Sequence, residues 1–190
     1  MALTCRPSRP AIGLALFSKN TLSSAPKNPS SHPLRWYVIA ALALVADQAA
    51  KTTVVWTTPL GWSHPVTSFF NLVHVLNPGA AFSFLAGAGG WQRWFFLAIA
   101  FGVSAGLMYV LSRPLPKFEG LAYSLILGGA LGNAVDRAFR GPVVDYLDFH
   151  LHGWHWPAFN IADMAIVGGV IAMVLQTFTS VENPREVTKR

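Results

Sequence analysis

Trp94–Leu111 reads WFFLAIAFGVSAGLMYVL, eighteen residues in which Ser104 is the one polar side chain. A helix on the surface of a soluble bundle carries a polar stripe along its solvent face. This stretch has none, and its length matches the ~20 residues that cross a hydrocarbon core. It is read as a transmembrane helix, and the remaining segments are sorted around it. Phe159–Phe178 is long enough to span but opens with Asn160 and Asp163. Trp36–Trp56 spans if Asp47, Gln48 and Lys51 are accommodated, and Leu121–Arg137 closes on Asn133, Asp136 and Arg137.

Composition agrees. Of 190 residues, 53% are hydrophobic and 12% charged, and the mean hydropathy is +0.42. Too few charges remain to coat a soluble globule, and the apolar content excludes a disordered chain. The net charge of +6 does not indicate a nucleic-acid partner, because the basic residues cluster on no single element. One cysteine, Cys5, excludes a disulfide framework. Residues 1–34, with five prolines, four basic residues and no acid, read as a basic disordered extension rather than a cleavable signal, since the apolar stretch Ala11–Phe17 is short. Residues 182–190 read as a polar tail.

Lysine and arginine set the orientation. Arg6, Arg9, Lys19, Lys27 and Arg35 precede the first span; Arg113 and Lys117 lie between the second and third; Arg185, Lys189 and Arg190 follow the fourth. Residues 57–91 contain neither basic type. The positive-inside rule therefore puts both termini in the cytoplasm and residues 57–91 and 138–158 outside, where Trp56, Trp62, Trp91, Trp154 and Trp156 fit an interfacial belt. Within the first outer link, Val66–Leu76 (VTSFFNLVHVL) has the β-branched and aromatic content of short strands. Phe82–Gly90 reads as a short segment lying on the membrane. The fold class expected is an all-α polytopic membrane protein. It would have four transmembrane helices over residues 35–181, a small outer β-cradle within 57–91, and a short membrane-lying helix.

All five aspartates, Asp47, Asp136, Asp145, Asp148 and Asp163, fall in or beside the spans. An ionisable group in a span costs roughly 2.5–3.5 kcal/mol on insertion scales, which makes each a functional candidate. At ~1.5 Å per residue, Asp47 and Lys51 lie about 18 and 24 Å above the cytoplasmic start of the first span. Asn133 and Arg137 reach similar heights, Asp163 is about 6 Å inside the outer end of the fourth span, and Asp145 is just outside. These groups share one layer near the outer face. Simpler roles compete: Asp47 and Lys51, four apart, would neutralise each other, and Arg137 would pair with Asp136 or snorkel. His74, His150, His152 and His155 show no metal-ligand spacing. Ser83 and Lys51 offer a nucleophile and a base that nothing pairs. A carboxylate pair at this depth suits either metal-free peptide hydrolysis or proton and cation relay in a transporter.

Five blocks in order, Asp47–Lys51 (DQAAK), Asn77–Phe82 (NPGAAF), Gly128–Arg137 (GGALGNAVDR), Val143–Asp148 (VVDYLD) and Phe159–Asp163 (FNIAD), resemble the lipoprotein signal peptidase, or signal peptidase II, family. The likeness covers roughly residues 36–181. It implies a membrane aspartic endopeptidase without cofactor or metal. Such an enzyme removes the signal peptide of a diacylglyceryl-modified prolipoprotein just before its lipidated cysteine. It implies Asp145 and Asp163 as the catalytic dyad, with Asp47, Lys51, Asn77, Gly79, Asn133, Asp136, Arg137 and Asn160 in support. The implied setting is a monomer in the bacterial inner membrane, in contact with membrane lipid and working at its outer face. Small residues in Gly128–Gly132 suit either close helix approach or a slot for the small residues before the substrate cysteine. The leading alternative is a small proton- or cation-coupled transporter using Asp47, Asp136 and Asp163, and a non-catalytic scaffold is a third.

Overall fold

The computed structural model describes residues 33–79 and 90–181, and the basic extension before residue 33, the membrane-lying segment expected from Phe82 and the tail after residue 181 lie outside them. Four helices are present among the described residues: α1 (Pro33–Thr57), α2 (Trp91–Leu111), α3 (Lys117–Phe139) and α4 (Ile161–Val181). Four strands join them: β1 (Ser63–Thr67), β2 (Phe70–Asn77), β3 (Val143–Leu151) and β4 (Trp154–His155). Helices α1, α2 and α4 are long and apolar enough to cross a membrane. Their outward faces are apolar: Leu42, Val45, Phe101, Val103, Val167 and Ile171 are all exposed.

Helix α3 is the axis of the bundle and packs against each of the other three. Its inner surface is small. A methyl group on Gly128 would lie 2.5 Å from the Ala40 carbonyl and 2.7 Å from Ala43 of α1. One on Gly129 would collide with the Ala162 carbonyl of α4, and one on Gly132 would lie 2.6 Å from Asp47 Oδ2. These glycines therefore serve close helix approach. In lipid, where helix association gains little from burying apolar area, such backbone proximity supplies the packing. Trp36, Ala40, Leu111 and Leu127 form the apolar core on the other side of the polar layer.

The sheet has order β1-β2-β3-β4 and is antiparallel throughout. Val66–Leu76 does contain strands, as its composition predicts, with a turn between Thr67 and Phe70. Residues 138–158 are not a plain link: they supply β3 and the two-residue β3–β4 hairpin. That hairpin turns on His152 and Gly153, both at positive φ (50° and 82°), which matches the right-handed strand twist. Helix α4 also starts later than Phe159. That residue instead exchanges backbone hydrogen bonds with Leu147 (Phe159 N–H to Leu147 O, 3.0 Å; Leu147 N–H to Phe159 O, 2.9 Å), which keeps it in the sheet.

The β2–β3 pairing carries a bulge. Leu72 pairs with Leu147 and Val75 with Asp145, so three steps on β2 match two on β3. Side chains alternate between faces along a strand, so one extra residue exchanges the faces beyond it. Asn71, before the bulge, meets Asp148, while Asn77, beyond it, shares the Asp145 face.

Gly129→Ala tests the close approach of α3 to α4. Overpacking of this kind costs roughly 1–3 kcal/mol. The purified variant is expected to melt at lower temperature than wild type, whereas Gly106→Ala, where a methyl group meets open space, should not lower the melting temperature.

Candidate active site

The polar centre begins with a lysine. Lys51 has no exposed surface, and a buried ammonium is costly unless all its protons are accepted. It meets three oxygens: it ion-pairs with Asp47 Oδ2 and Asp136 Oδ2, each at 2.8 Å, and donates a hydrogen bond to Asn133 Oδ1 at 2.9 Å. Asp47 and Lys51 are thus neighbours, as their four-residue spacing predicts, but the pair is not closed on itself. Asp47 Oδ1 reaches across to accept the Ala162 N–H of α4 at 2.9 Å.

That contact is one of four that cap α4. The first turn of a helix leaves its N–H groups without intrahelical partners. Here Ile161 N–H donates to Tyr146 Oη (3.3 Å), Ala162 N–H to Asp47 Oδ1, and Asp163 N–H to Asn160 Oδ1 (3.0 Å). Asn160 N–H in turn donates to Asp163 Oδ2 (3.2 Å). Asn160 and Asp163 therefore form a reciprocal capping box. Capping commits the Asn160 oxygen, so its amide nitrogen must point the other way, where it donates to Asp145 Oδ1 at 2.6 Å. Asn160 thus caps α4 with its oxygen and holds Asp145 with its nitrogen.

Each oxygen of Asp145 and Asp163 receives an N–H. Asp145 takes Asn160 Nδ2 and Asn77 Nδ2 (3.0 Å); Asp163 takes Asn133 Nδ2 (2.7 Å) and the Asn160 backbone. The three asparagine amides are locked by their other ends. Asn133 Oδ1 faces Lys51, Asn160 Oδ1 caps α4, and Asn77 Oδ1 accepts Gly79 N–H at 2.9 Å. Gly79 has φ +102°, and a Cβ there would lie 2.6 Å from the Phe96 ring, so only glycine fits. Burial, and then the nearby Asp163 charge, push Asp145 up to about 7 against the lowering effect of Asn77, Asn160 and Lys51. Tyr146, beside it, is raised by burial to about 12 and stays a neutral phenol.

The sequence-derived residues converge with one exception of detail. Arg137 does not join Asp136. Its guanidinium lies over the Phe96 ring at 5.1 Å, and Nη1 donates to its own helix at Asn133 O. The arginine paired with Asp136 is Arg140, one turn further on, which the sequence reading passed over. Gln48 and Tyr146 were also missed, although they stand in DQAAK and VVDYLD, next to Asp47 and Asp145. Asp148 is separate from Asp145 and Asp163. It faces the other side of β3, bound by Asn71 (2.8 Å) and His155 (2.9 Å). Burial alone would raise that carboxyl, but these hydrogen bonds outweigh it and hold it below its ordinary value. A groove of about 300 Å³ between α2 and α4 is lined by Phe96, Ile99, Val103, Ile126 and Ile166, with Asn133 and Arg137 on its polar side.

An apolar helical bundle that gathers two carboxylates on one asparagine beside a small sheet has the form of a membrane-embedded enzyme, and known proteins agree. A bacterial membrane enzyme solved by the in meso method at 2.3 Å resolution superposes with a TM-score of 0.70 at 32% identity, covering 78% of this chain and 90% of that one. The family model for signal peptidase (SPase) II matches residues 39–179. The lipoprotein signal peptidase of Aeromonas hydrophila is 52% identical over 158 residues, spanning 82% of this chain and 94% of the relative. That of Cupriavidus pinatubonensis is 48% identical over 173 residues, spanning 90% and 93%. The chain belongs to the signal peptidase II family and is a peptidase.

Substitution of Asn160 separates its two duties. Serine is a good cap but has no amide to give Asp145. Asn160→Ser is expected to keep the wild-type melting temperature yet lose most turnover. Asn160→Ala should lose turnover and also about 1 kcal/mol of stability. Full specific activity in the serine variant would reduce Asn160 to a cap.

Proposed function

We propose that this chain is an aspartic endopeptidase that cleaves the signal peptide from diacylglyceryl-modified prolipoproteins, with Asp145 and Asp163 as its catalytic dyad. The observation that supports this most directly is Asn160, whose side-chain amide and backbone N–H bind one carboxylate each. Two carboxylates held in one site share a proton. The ionised member takes a proton from water as it attacks the scissile carbonyl carbon, while the protonated member donates to the carbonyl oxygen. Collapse of the resulting diol breaks the C–N bond, and the amine leaves with a proton from the dyad. The raised Asp145 supplies the proton near neutral pH.

Substrate class follows from position. The bundle's exposed apolar faces require lipid, and the groove between α2 and α4 offers an apolar bed beside Asn133, which binds Asp163. A substrate whose acyl chains stay in the bilayer would present its peptide bond at this depth. In this reading α3 is the fourth span, its polar end turned inward onto α1 and α4. The basic residues before the first span, between the second and third and after the fourth support a topology with both termini in the cytoplasm and the sheet outside, in a bacterial inner membrane, with the chain acting as a monomer. The transporter alternative has no support among the relatives.

Asp145→Asn and Asp163→Asn are each expected to reduce cleavage of a lipidated precursor to background while the protein stays inserted. Near-normal turnover in either would remove the dyad. The proton shared by the pair is lost as pH rises, because a raised carboxyl holds its proton below its titration point and releases it above. In wild type, kcat/KM should therefore fall on the alkaline side from about pH 7, roughly tenfold per unit. A profile level to pH 9 would exclude Asp145 as the acid.

A further inference from the structure

The charges buried around Lys51 do not balance without Arg140. Asp47 and Asp136 carry two negative charges with no exposed surface, and Lys51 supplies a single positive one. Arg140, the residue just past the end of α3, ion-pairs with Asp136 Oδ1 and brings the cluster to neutrality. It is fixed from α1 as well: Nη1 donates to Gln48 Oε1 and Nη2 to Thr52 Oγ1, each at 3.0 Å. Its side chain is 30% exposed, whereas Lys51, Asp47 and Asp136 are sealed.

The division of Asp136 matters for the dyad. Oδ1 is occupied by Arg140 and by Gln48 Nε2 (3.3 Å), and Oδ2 by Lys51. With Oδ1 satisfied, Asp136 needs only one proton of Lys51, and another remains for Asn133 Oδ1. Asn133 is thereby oriented with its nitrogen on Asp163 Oδ1. An Asp136 lacking its arginine would compete for Lys51 with both oxygens and leave an uncompensated negative charge beside the dyad. We propose that Arg140 is a positioning residue for the catalytic carboxylates, acting through Asp136, Lys51 and Asn133 on Asp163. This rests on the aspartic-dyad reading above.

The other charged or titratable groups around the dyad are Asp47 and Lys51 on α1, Asp136 and Arg137 on α3, and Tyr146 on β3. Arg93 of α2 is held at the C-terminal carbonyls of α3, on Arg137 O and Ala138 O. Loss of the Arg140 charge makes this surrounding more negative. Protons are then held more tightly, and both limbs of the pH profile move to higher pH.

The test is the pH dependence of kcat and KM for the full chain in lipid or detergent, with a lipidated precursor as substrate. Arg140→Met is expected to lower kcat about tenfold with little change in KM, and to move both limbs upward by roughly half a unit or more. Arg140→Gln keeps hydrogen-bonding capacity without charge, so it should show the same shift even if the methionine variant folds poorly. Arg140→Lys keeps the charge and should restore the wild-type profile. Asp136→Asn with Arg140→Met should be no slower than Asp136→Asn alone, since the arginine then has no charge to offset. Wild-type kcat and profile in the neutral variants, or a loss that follows melting temperature with unshifted limbs, would overturn the proposal. Asp145→Asn run alongside separates the two readings. Activity there brings down the dyad and this inference together, whereas an inactive Asp145→Asn beside a wild-type-like Arg140→Gln removes the Arg140 role alone.

Discussion

A lysine ammonium sealed from solvent is the constraint on which the polar half of this molecule depends. Lys51 has three protons and needs three acceptors, and they come from two helices: Asp47 on its own helix, Asp136 and Asn133 on α3. Removing one partner of such a cluster leaves an unpaired buried charge, which costs several kcal/mol. The lysine therefore fixes the rotation and height of α1 against α3. Glycines at 128, 129 and 132 let the backbones come near enough for these short side chains to meet. Asp47, so held, completes the cap of α4, and the α4 cap holds Asp163.

From that anchor outward, the site uses amides where hydroxyls or charges would be less definite. An asparagine has a donor end and an acceptor end, and fixing one fixes the other. Asn77, Asn133 and Asn160 each have the acceptor end tied to the scaffold and the donor end on Asp145 or Asp163. The carboxylates are consequently oriented by groups that do not titrate. Their proton balance depends on burial, on each other and on the Lys51 cluster.

Much of this could be read from the chain alone, for reasons specific to membranes. Lipid requires long apolar runs, so the helices at Trp36–Trp56, Trp94–Leu111 and Phe159–Phe178 stand out, and polar residues inside them are few enough to compare by depth. Helix α3 read weakly because its Asn133, Asp136 and Arg137 lower its hydropathy; the structure turns Asn133 and Asp136 inward, which explains how the helix tolerates them. Strand β3 was not legible. VVDYLDFHL is partly buried on both faces, and its pairing with β2, some seventy residues earlier, is non-local. Arg140 was not legible either, because two arginines follow Asp136 and only the packing of α1 decides which one pairs with it.

The bulge in β2 has a consequence for how this protein can vary. The ladder is in register on both sides of it, with Leu72 opposite Leu147 and Val75 opposite Asp145, so two residues on β2 stand against one on β3. Loss of one of those two would straighten the strand and leave Asn77 opposite Val143, still on the Asp145 face. Between Val75 and Asn77 the strand has no such slack: one residue more or fewer there would move Asn77 off its place opposite Val143 and turn its amide away from Asp145. The sheet thus absorbs a change of length on one side of Val75 and not on the other.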